Sequence, residues 1–296
     1  MYNPQLETFI RVADAGSFNK AAEESYITPT AVIKQINLLE SSLDVKLFER
    51  THRGLILTKA GKSLYQDTKY IIQYCKDSVT RAKNAMQESA NVIRIGTSPM
   101  TPAQLLMQLW PKIQVNCPDM KFQIIPFDNT PENAREILGN LGKNIDVIGG
   151  IFDETMLNLR NCAGLQLSRE PLCCAVSVHH RLAAKNKLLI EDLYGENLLL
   201  MRRDWSHYVD QLRDDLWQNH SQIHIIDFEF YNMSIFNRCE NSNDVLLAIL
   251  GWANVHPLLK VIPVEWDHSI PYGLLHAPHP SETVKRFLEA AQAAVN

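Results

Sequence analysis

Several absences narrow this chain before any motif is read. No apolar run approaches the ~20 residues that a membrane-spanning helix needs. The first residues also lack the basic-then-apolar profile of a secretory leader, so the chain is expected in the cytoplasm, with no membrane partner. An excess of positive charge is missing too: 29 Lys and Arg stand against 33 Asp and Glu, a net charge of −4. Bulk charge therefore does not mark a nucleic-acid binder. The six cysteines, Cys75, Cys117, Cys162, Cys173, Cys174 and Cys239, form no Cys-x-x-Cys and are expected as free, mostly buried thiols. The pairs His179-His180 and His276/His279 lack the i, i+4 spacing of a helical metal site, so no metal is expected. There is no Walker loop, no Gly-x-Ser-x-Gly and no His-Glu-x-x-His. Nothing assembles an acid, base and nucleophile, so neither an enzyme nor a cofactor is expected.

What is present begins with size. At 296 residues, two or three domains are expected. The charge is split between them: residues 1–90 carry twelve basic and ten acidic side chains, a balance of +2, and residues 91–296 carry seventeen and twenty-three, a balance of −6. A small binding domain joined to an acidic sensing body fits that division.

The first 62 residues carry the densest signal. Asn3-Pro4 and Thr28-Pro29 each read as a helix start, a polar N-cap followed by proline. Ser17 can cap a helix between them, where Ala21 and Ala22 allow close packing. From Thr28 onward, Val32, Ile36, Leu39 and Leu43 recur at helical steps and predict one buried face. The opposite face carries Thr30, Ile33, Lys34 and Asn37. A short helix, a tight turn and a second helix with a small, polar, basic outer face fit helix-turn-helix recognition of DNA, although an ordinary helical hairpin would show the same periodicity. Two apolar runs, 47–50 and 55–57, then flank Thr51-His52-Arg53-Gly54 and predict a hairpin wing, with Arg50, His52 and Arg53 near its tip.

These motifs resemble, in order, the winged helix-turn-helix of LysR-type transcriptional regulators: Gly16-Ser17-Phe18, Ala21-Ala22, a Thr-led recognition helix, Leu39-Glu40, Leu47-Phe48-Glu49-Arg50 and Leu57-Thr58-Lys59-Ala60-Gly61. The DNA-contacting set is expected to be Thr28, Thr30, Ile33, Lys34, Asn37 and Arg53. Lys34 would meet a phosphate or a guanine, and Asn37 could offer its amide fork to a base. Ile33, where the family often has Ser, would touch a thymine methyl or pack against the wing.

Residues 58–88 predict a long helix whose apolar seam runs Leu64, Ile71, Ile72, Cys75, Val79, Ala82 and Met86. Such a rod needs a partner helix, and the resemblance implies a homodimer or homotetramer on pseudo-palindromic promoter DNA. Ser89-Ala90-Asn91 reads as a hinge. Beyond it, strands at 92–96, 122–125 and 145–150 alternate with helices near 102–115 and 131–141, the order of a parallel αβ sheet. A second αβ set follows, with strands near 165–167, 172–178, 198–201, 223–228 and 245–250 and a helix at 207–219. A strand near 261–264 leads back, and a late strand at 273–276 and a helix at 282–294 close the chain.

The whole therefore reads as a multi-domain α/β protein: a winged helix-turn-helix over 1–58, a linker and dimerisation helix over 59–89, and a two-lobed effector domain over 90–296. The resemblance makes that domain similar to type 2 periplasmic binding proteins, with one lobe from 90–162 and 265–296 and the other from 163–264. Two departures stand out: Ser242-Asn243-Asp244 replaces the family's frequent Gly-Leu-Gly, and 252–266 lacks the usual pattern. The implied function is transcription regulation by a small polar, anionic effector. An architectural DNA binder and an enzyme built on a two-lobed fold are the alternatives. Ligands collect at the carboxyl ends of parallel strands, which selects Thr97, Ser98, Thr101, Gly149 and Gly150 from one lobe and Met201 and Arg202 from the other. The competing reading is that Ser98 and Thr101 only cap a helix and Arg202 is solvated.

Overall fold

A computed structural model of the chain describes residues 2–51, 54–86 and 91–295. The chain divides into two compact units, Met1–Glu88 and Ser89–Asn296.

The first unit contains α1 (Gln5–Ala15), α2 (Phe18–Glu24), α3 (Pro29–Leu43), β1 (Phe48–Thr51), β2 (Gly54–Leu57) and α4 (Lys59–Met86). Local chemistry sets most of these ends. The Asn3 side chain accepts the Gln5 N–H at 3.0 Å, and Thr28 Oγ1 accepts the Ala31 N–H at 3.2 Å ahead of Pro29. Ser17 stands at the start of α2 but makes no side-chain cap there. Gly16 ends α1 with φ +61°, a left-handed conformation that glycine adopts without penalty. Phe9, Val12, Ala21, Ala22, Val32, Ile36, Leu39 and Leu47 form the core. The wing is an antiparallel pair with Phe48 opposite Leu57 and Thr51 opposite Gly54. Thr58 Oγ1 donates to Lys46 O at 2.7 Å and accepts the Gly61 N–H at 2.9 Å, tying the wing to α4. A Cβ at Gly61 would lie 2.1 Å from Leu47 O, so only glycine fits this junction. Along α4, Tyr70, Ile71, Tyr74 and Val79 are exposed.

The second unit is built on β3 (Val92–Thr97), α5 (Gln104–Asn116), β4 (Lys121–Pro126), α6 (Pro131–Leu138), β5 (Val147–Ile151), α7 (Glu154–Leu159) and β6 (Ala163–Ser177). It continues through β7 (Asn197–Met201), α8 (His207–Asn219), β8 (His224–Phe228), α9 (Met233–Glu240), β9 (Val245–Ile249), β10 (Leu259–Pro263), β11 (Ser269–His276) and α10 (Glu282–Val295). The sheet order is β4-β3-β5-β11-β6-β9-β7-β8, with β10 beside β6. In one lobe β3 lies parallel to both β4 and β5; in the other β7 lies parallel to both β8 and β9. Each central strand is thus a switch point with a crevice at its carboxyl end. Asp146, just before β5, accepts the Arg94 N–H at 2.8 Å and pairs with the Arg94 guanidinium at 2.7 Å, which locks β5 against β3.

Several elements differ from the sequence expectation. The strands expected at 165–167 and 172–178 are one strand, β6, whose first part pairs with β11 and whose last part pairs with β9 and β10. One strand therefore serves both lobes, and they meet further along than 162/163. The strand near 261–264 does not lead back to the first lobe; β10 borders the second, with Leu259 opposite Ser177. Thr101-Pro102 does not open α5, which begins at Gln104 without a side-chain cap. Instead Ser98 and Thr101 bridge each other through both backbone bonds, at 3.4 and 3.1 Å, which holds that stretch out of the helix. Cys117, Cys162, Cys173, Cys174 and Cys239 are buried free thiols, and Cys75 is half-buried. Burial pushes the Cys239 thiol up to about 12, far from a reactive thiolate.

Candidate DNA-binding surface and effector cavity

The buried face of α3 is Val32, Ile36, Leu39 and Glu40. Its outward residues Thr28, Thr30, Lys34 and Asn37 are exposed and Ile33 is half-buried, so the helix presents one short polar ridge. His52 and Arg53 lie outside the described residues; Arg50 is exposed on β1, with its guanidinium 5.8 Å from the Phe18 ring. The ridge is held by a residue that entered the sequence argument only as a family motif. Glu40 Oε1 accepts the Leu47 N–H at 2.8 Å and the Phe48 N–H at 3.3 Å, and Oε2 takes Lys46 Nζ at 2.6 Å. Burial pushes the Glu40 carboxyl up, but these three donors outweigh it and leave it below its ordinary value. Recognition helix and wing are thereby fixed to each other through one carboxylate.

In the second unit a cavity of about 90 Å³ lies where the two crevices face each other. Much of its wall follows the carboxyl ends of parallel strands, with α6, α7 and β11 completing it. Met100 and Thr101 follow β3, Phe127 and Asn129 follow β4, and Gly150 and Ile151 end β5. Trp205 follows β7, Phe230 and Tyr231 follow β8, and Trp252 follows β9. The rings are packed together: Tyr231 is 4.7 Å from Trp252 and 5.8 Å from Trp205 between centroids. Tyr231 is anchored by its phenol, which donates to Leu247 O at 2.8 Å, and burial pushes that phenol well above its ordinary range.

Three hydrogen bonds cross the cavity's rim between the lobes. Trp252 Nε1 donates to Met100 O at 2.9 Å, Asn129 Nδ2 to Tyr231 O at 2.7 Å, and the His207 N–H to Asp153 Oδ2 at 2.8 Å. The cavity also has one guanidinium. Arg160, at the end of α7, lines it, and its guanidinium makes no hydrogen bond or ion pair among the described residues. Burial pulls its pKa below the ordinary value; Cys162 and the Asp153 carboxylate pull the other way, and Arg135 adds to the lowering.

The expected effector residues are only partly brought together. Thr101 and Gly150 line the cavity. Ser98 is buried, its hydroxyl 2.8 Å from that of Thr101, and Thr97 Oγ1 donates to Thr101 O at 3.3 Å, so both support the wall from behind. Gly149 faces away, toward the Tyr272 hydroxyl. Met201 is buried in the second lobe's core, and Arg202 is exposed and paired with Glu229 at 2.7 Å. Arg202 thus takes the solvated reading. The aromatic walls and Arg160 were missed, although the strand-end rule would have found the aromatics had it been applied to β4, β8 and β9 as well.

Comparison with known proteins agrees with this construction. Residues 4–62 match the profile of the bacterial regulatory helix-turn-helix proteins of the lysR family, and residues 86–296 match that of the LysR substrate binding domain. The nitrogen assimilation regulatory protein nac of Klebsiella aerogenes is 27 % identical over 54 % of this chain and 56 % of its own length. The Hca operon transcriptional activator HcaR of Escherichia coli K12 is 28 % identical over 66 % of this chain and 63 % of its own. The matches therefore span about three fifths of these relatives. The crystal structure of CbnR, a LysR family transcriptional regulator, shares the fold over 100 % of both chains, with a TM-score of 0.60 at 18 % identity.

Proposed function

The chain belongs to the LysR family, and from that premise we propose that it is a transcription regulator whose grip on promoter DNA is set by a small molecule held between the lobes of its second unit. Thr28, Thr30, Ile33, Lys34 and Asn37 read the DNA, assisted by Arg53 from the wing. The exposed apolar side chains of α4 pair with a second copy, so that two recognition helices reach two half-sites; a tetramer would repeat that pairing. A regulator of this kind works in the cytoplasm, and among the described residues no helix is long and apolar enough to cross a membrane.

The observation that carries the effector reading is Arg160, a half-buried guanidinium that makes no hydrogen bond or ion pair among the described residues, in a cavity walled mostly by rings and aliphatic chains. A desolvated cation is unfavourable until a counter-charge reaches it, and a carboxylate is the group that pairs with guanidinium in two parallel bonds. The apolar walls shift the expectation from a small polar anion to an acid with an apolar, ring-sized body. Thr101, Gly150 and Asn129 are placed to meet its polar edge. Genome-wide footprinting in cells, with and without candidate carboxylates, tests the function: occupied promoter sites should change when the right acid is supplied. An occupancy pattern indifferent to every acid would favour the architectural alternative.

A further inference from the structure

The turn between α2 and α3 holds a residue for which the folded chain has no internal use. Tyr26 is 96 % exposed and has φ +55°. It follows the end of α2: its N–H reaches Glu23 O at 3.1 Å, and the Ile27 N–H turns back to Ala22 O at 3.1 Å. Helices commonly end with one left-handed residue, and glycine or asparagine fills that place at least cost. A bulky aromatic there is strained. Yet the Tyr26 ring packs on nothing and its phenol has no partner among the described residues. Strain that nothing inside the fold repays points outward, to a contact made in the working complex.

The place of the turn says what that contact is. Tyr26 stands two residues before Thr28, the N-cap of α3, and shares an exposed run with Thr28, Pro29 and Thr30. Arg11 of α1 donates to Ser25 Oγ at 3.1 Å, so a guanidinium reaches the same turn. The last turn of α2 is acidic and exposed at Glu23 and Glu24, which leaves the phenol and Arg11 as its donors. A helix whose first residues enter a groove brings the preceding turn to the groove's edge, where phosphates lie and hydroxyl donors set the protein's register.

We infer that Tyr26 donates its phenol O–H to a backbone phosphate at the edge of the groove that α3 enters, fixing the register of Thr28 and Thr30. This rests on the reading of α3 as the recognition helix. The tyrosine is a positioning residue: it carries no sequence preference of its own, and being neutral it displaces no counterion.

The test uses the full-length protein and a duplex selected by the wild type from a random-sequence pool. Tyr26→Phe removes one oxygen from a fully exposed ring and does not disturb folding. Its affinity should fall about 3- to 10-fold, the loss of one hydrogen bond, by the same factor on the selected duplex and on single-base variants. The dependence of log affinity on log salt should keep its wild-type slope, whereas Lys34→Ala should lower that slope by about 0.9. Tyr26→Asn, which suits the left-handed backbone, should lose at least as much affinity while melting no lower than wild type. Affinity of Tyr26→Phe within twofold of wild type, with Lys34→Ala still defective, overturns the inference and leaves the DNA-binding reading intact. A wild-type chain that selects no duplex overturns that reading and this inference with it.

Discussion

Asp153 Oδ2 accepts the backbone N–H of His207 at 2.8 Å, so a carboxylate from one lobe sits on the first turn of a helix in the other. Its Oδ1 accepts the Met156 N–H at 2.8 Å, and the residue is only 5 % exposed. One side chain thereby caps α7 and reaches the positive end of α8, where an acid is stabilised. Asp153→Ala should lower the free energy of opening between the lobes by about 1–3 kcal/mol, the cost of orphaning buried donors. Hydrogen exchange at the Met156 and His207 amides should accelerate together. Acceleration at Met156 alone would mean that the carboxylate only caps its own helix.

Glu40 predicts a pH dependence. Its carboxyl is held below the ordinary 4.5, so the stability it contributes is complete above that value and is lost as pH falls through the lowered one. Glu40→Ala should destabilise the first unit by about 1–3 kcal/mol at neutral pH, since the Leu47 and Phe48 amides lose their acceptor. The gap between variant and wild type should narrow in acid. Exchange protection at the Leu47 and Phe48 amides, followed against pH, reads both effects; a gap that does not change below pH 4.5 would show that the charge contributes nothing.

Lys34 is exposed on the outward ridge of α3, so its loss should leave the fold alone. Lys34→Ala should weaken binding to the selected duplex with an unchanged circular dichroism spectrum and melting temperature. Unaltered affinity in a gel-shift titration at fixed salt would take Lys34 out of the interface.

How far the sequence could be read follows from the range of the forces involved. The ends of α3 were legible because Thr28, Pro29 and the Val32-Ile36-Leu39 stripe act within a turn or two of chain. Helix α8, at 13 residues, showed its period in full, whereas α7 and α9, at 6 and 8 residues, did not. Thr101-Pro102 reads locally as a helix start; the Ser98–Thr101 bridge that overrides it is a backbone arrangement, invisible to side-chain pattern. The cavity was legible by rule and misread in detail. Met201 ends β7, but alternation along the strand turns its side chain into the core, and Gly149, in the middle of β5, faces Tyr272 and not the cavity. Arg160 has no motif at all: it matters because the chain half-buries it in the cavity wall without an ion pair, which only the fold decides.

The exposed stripe on α4 should be covered in solution. Val79→Asp places a charge where a second helix would desolvate it, an unfavourable step without a partner. Light scattering should show dimers for wild type and monomers for the variant, with loss of tight binding to two half-sites. An intact dimer in the variant at micromolar concentration would place the pairing surface elsewhere.

The central claim is that an acid held by Arg160 changes how α3 holds DNA. The direct measurement is fluorescence anisotropy of the selected duplex, titrated with full-length protein in the presence of a panel of carboxylates with apolar, ring-sized bodies. For wild type, at least one acid should shift the DNA affinity by about 5-fold or more, the lower end of ordinary coupling between sites. Arg160→Met keeps the apolar volume and removes the charge; its DNA affinity without acid should equal that of wild type, and the same acid should no longer shift it. A wild-type affinity that no acid moves, or an Arg160→Met protein that still responds fully, would contradict the account.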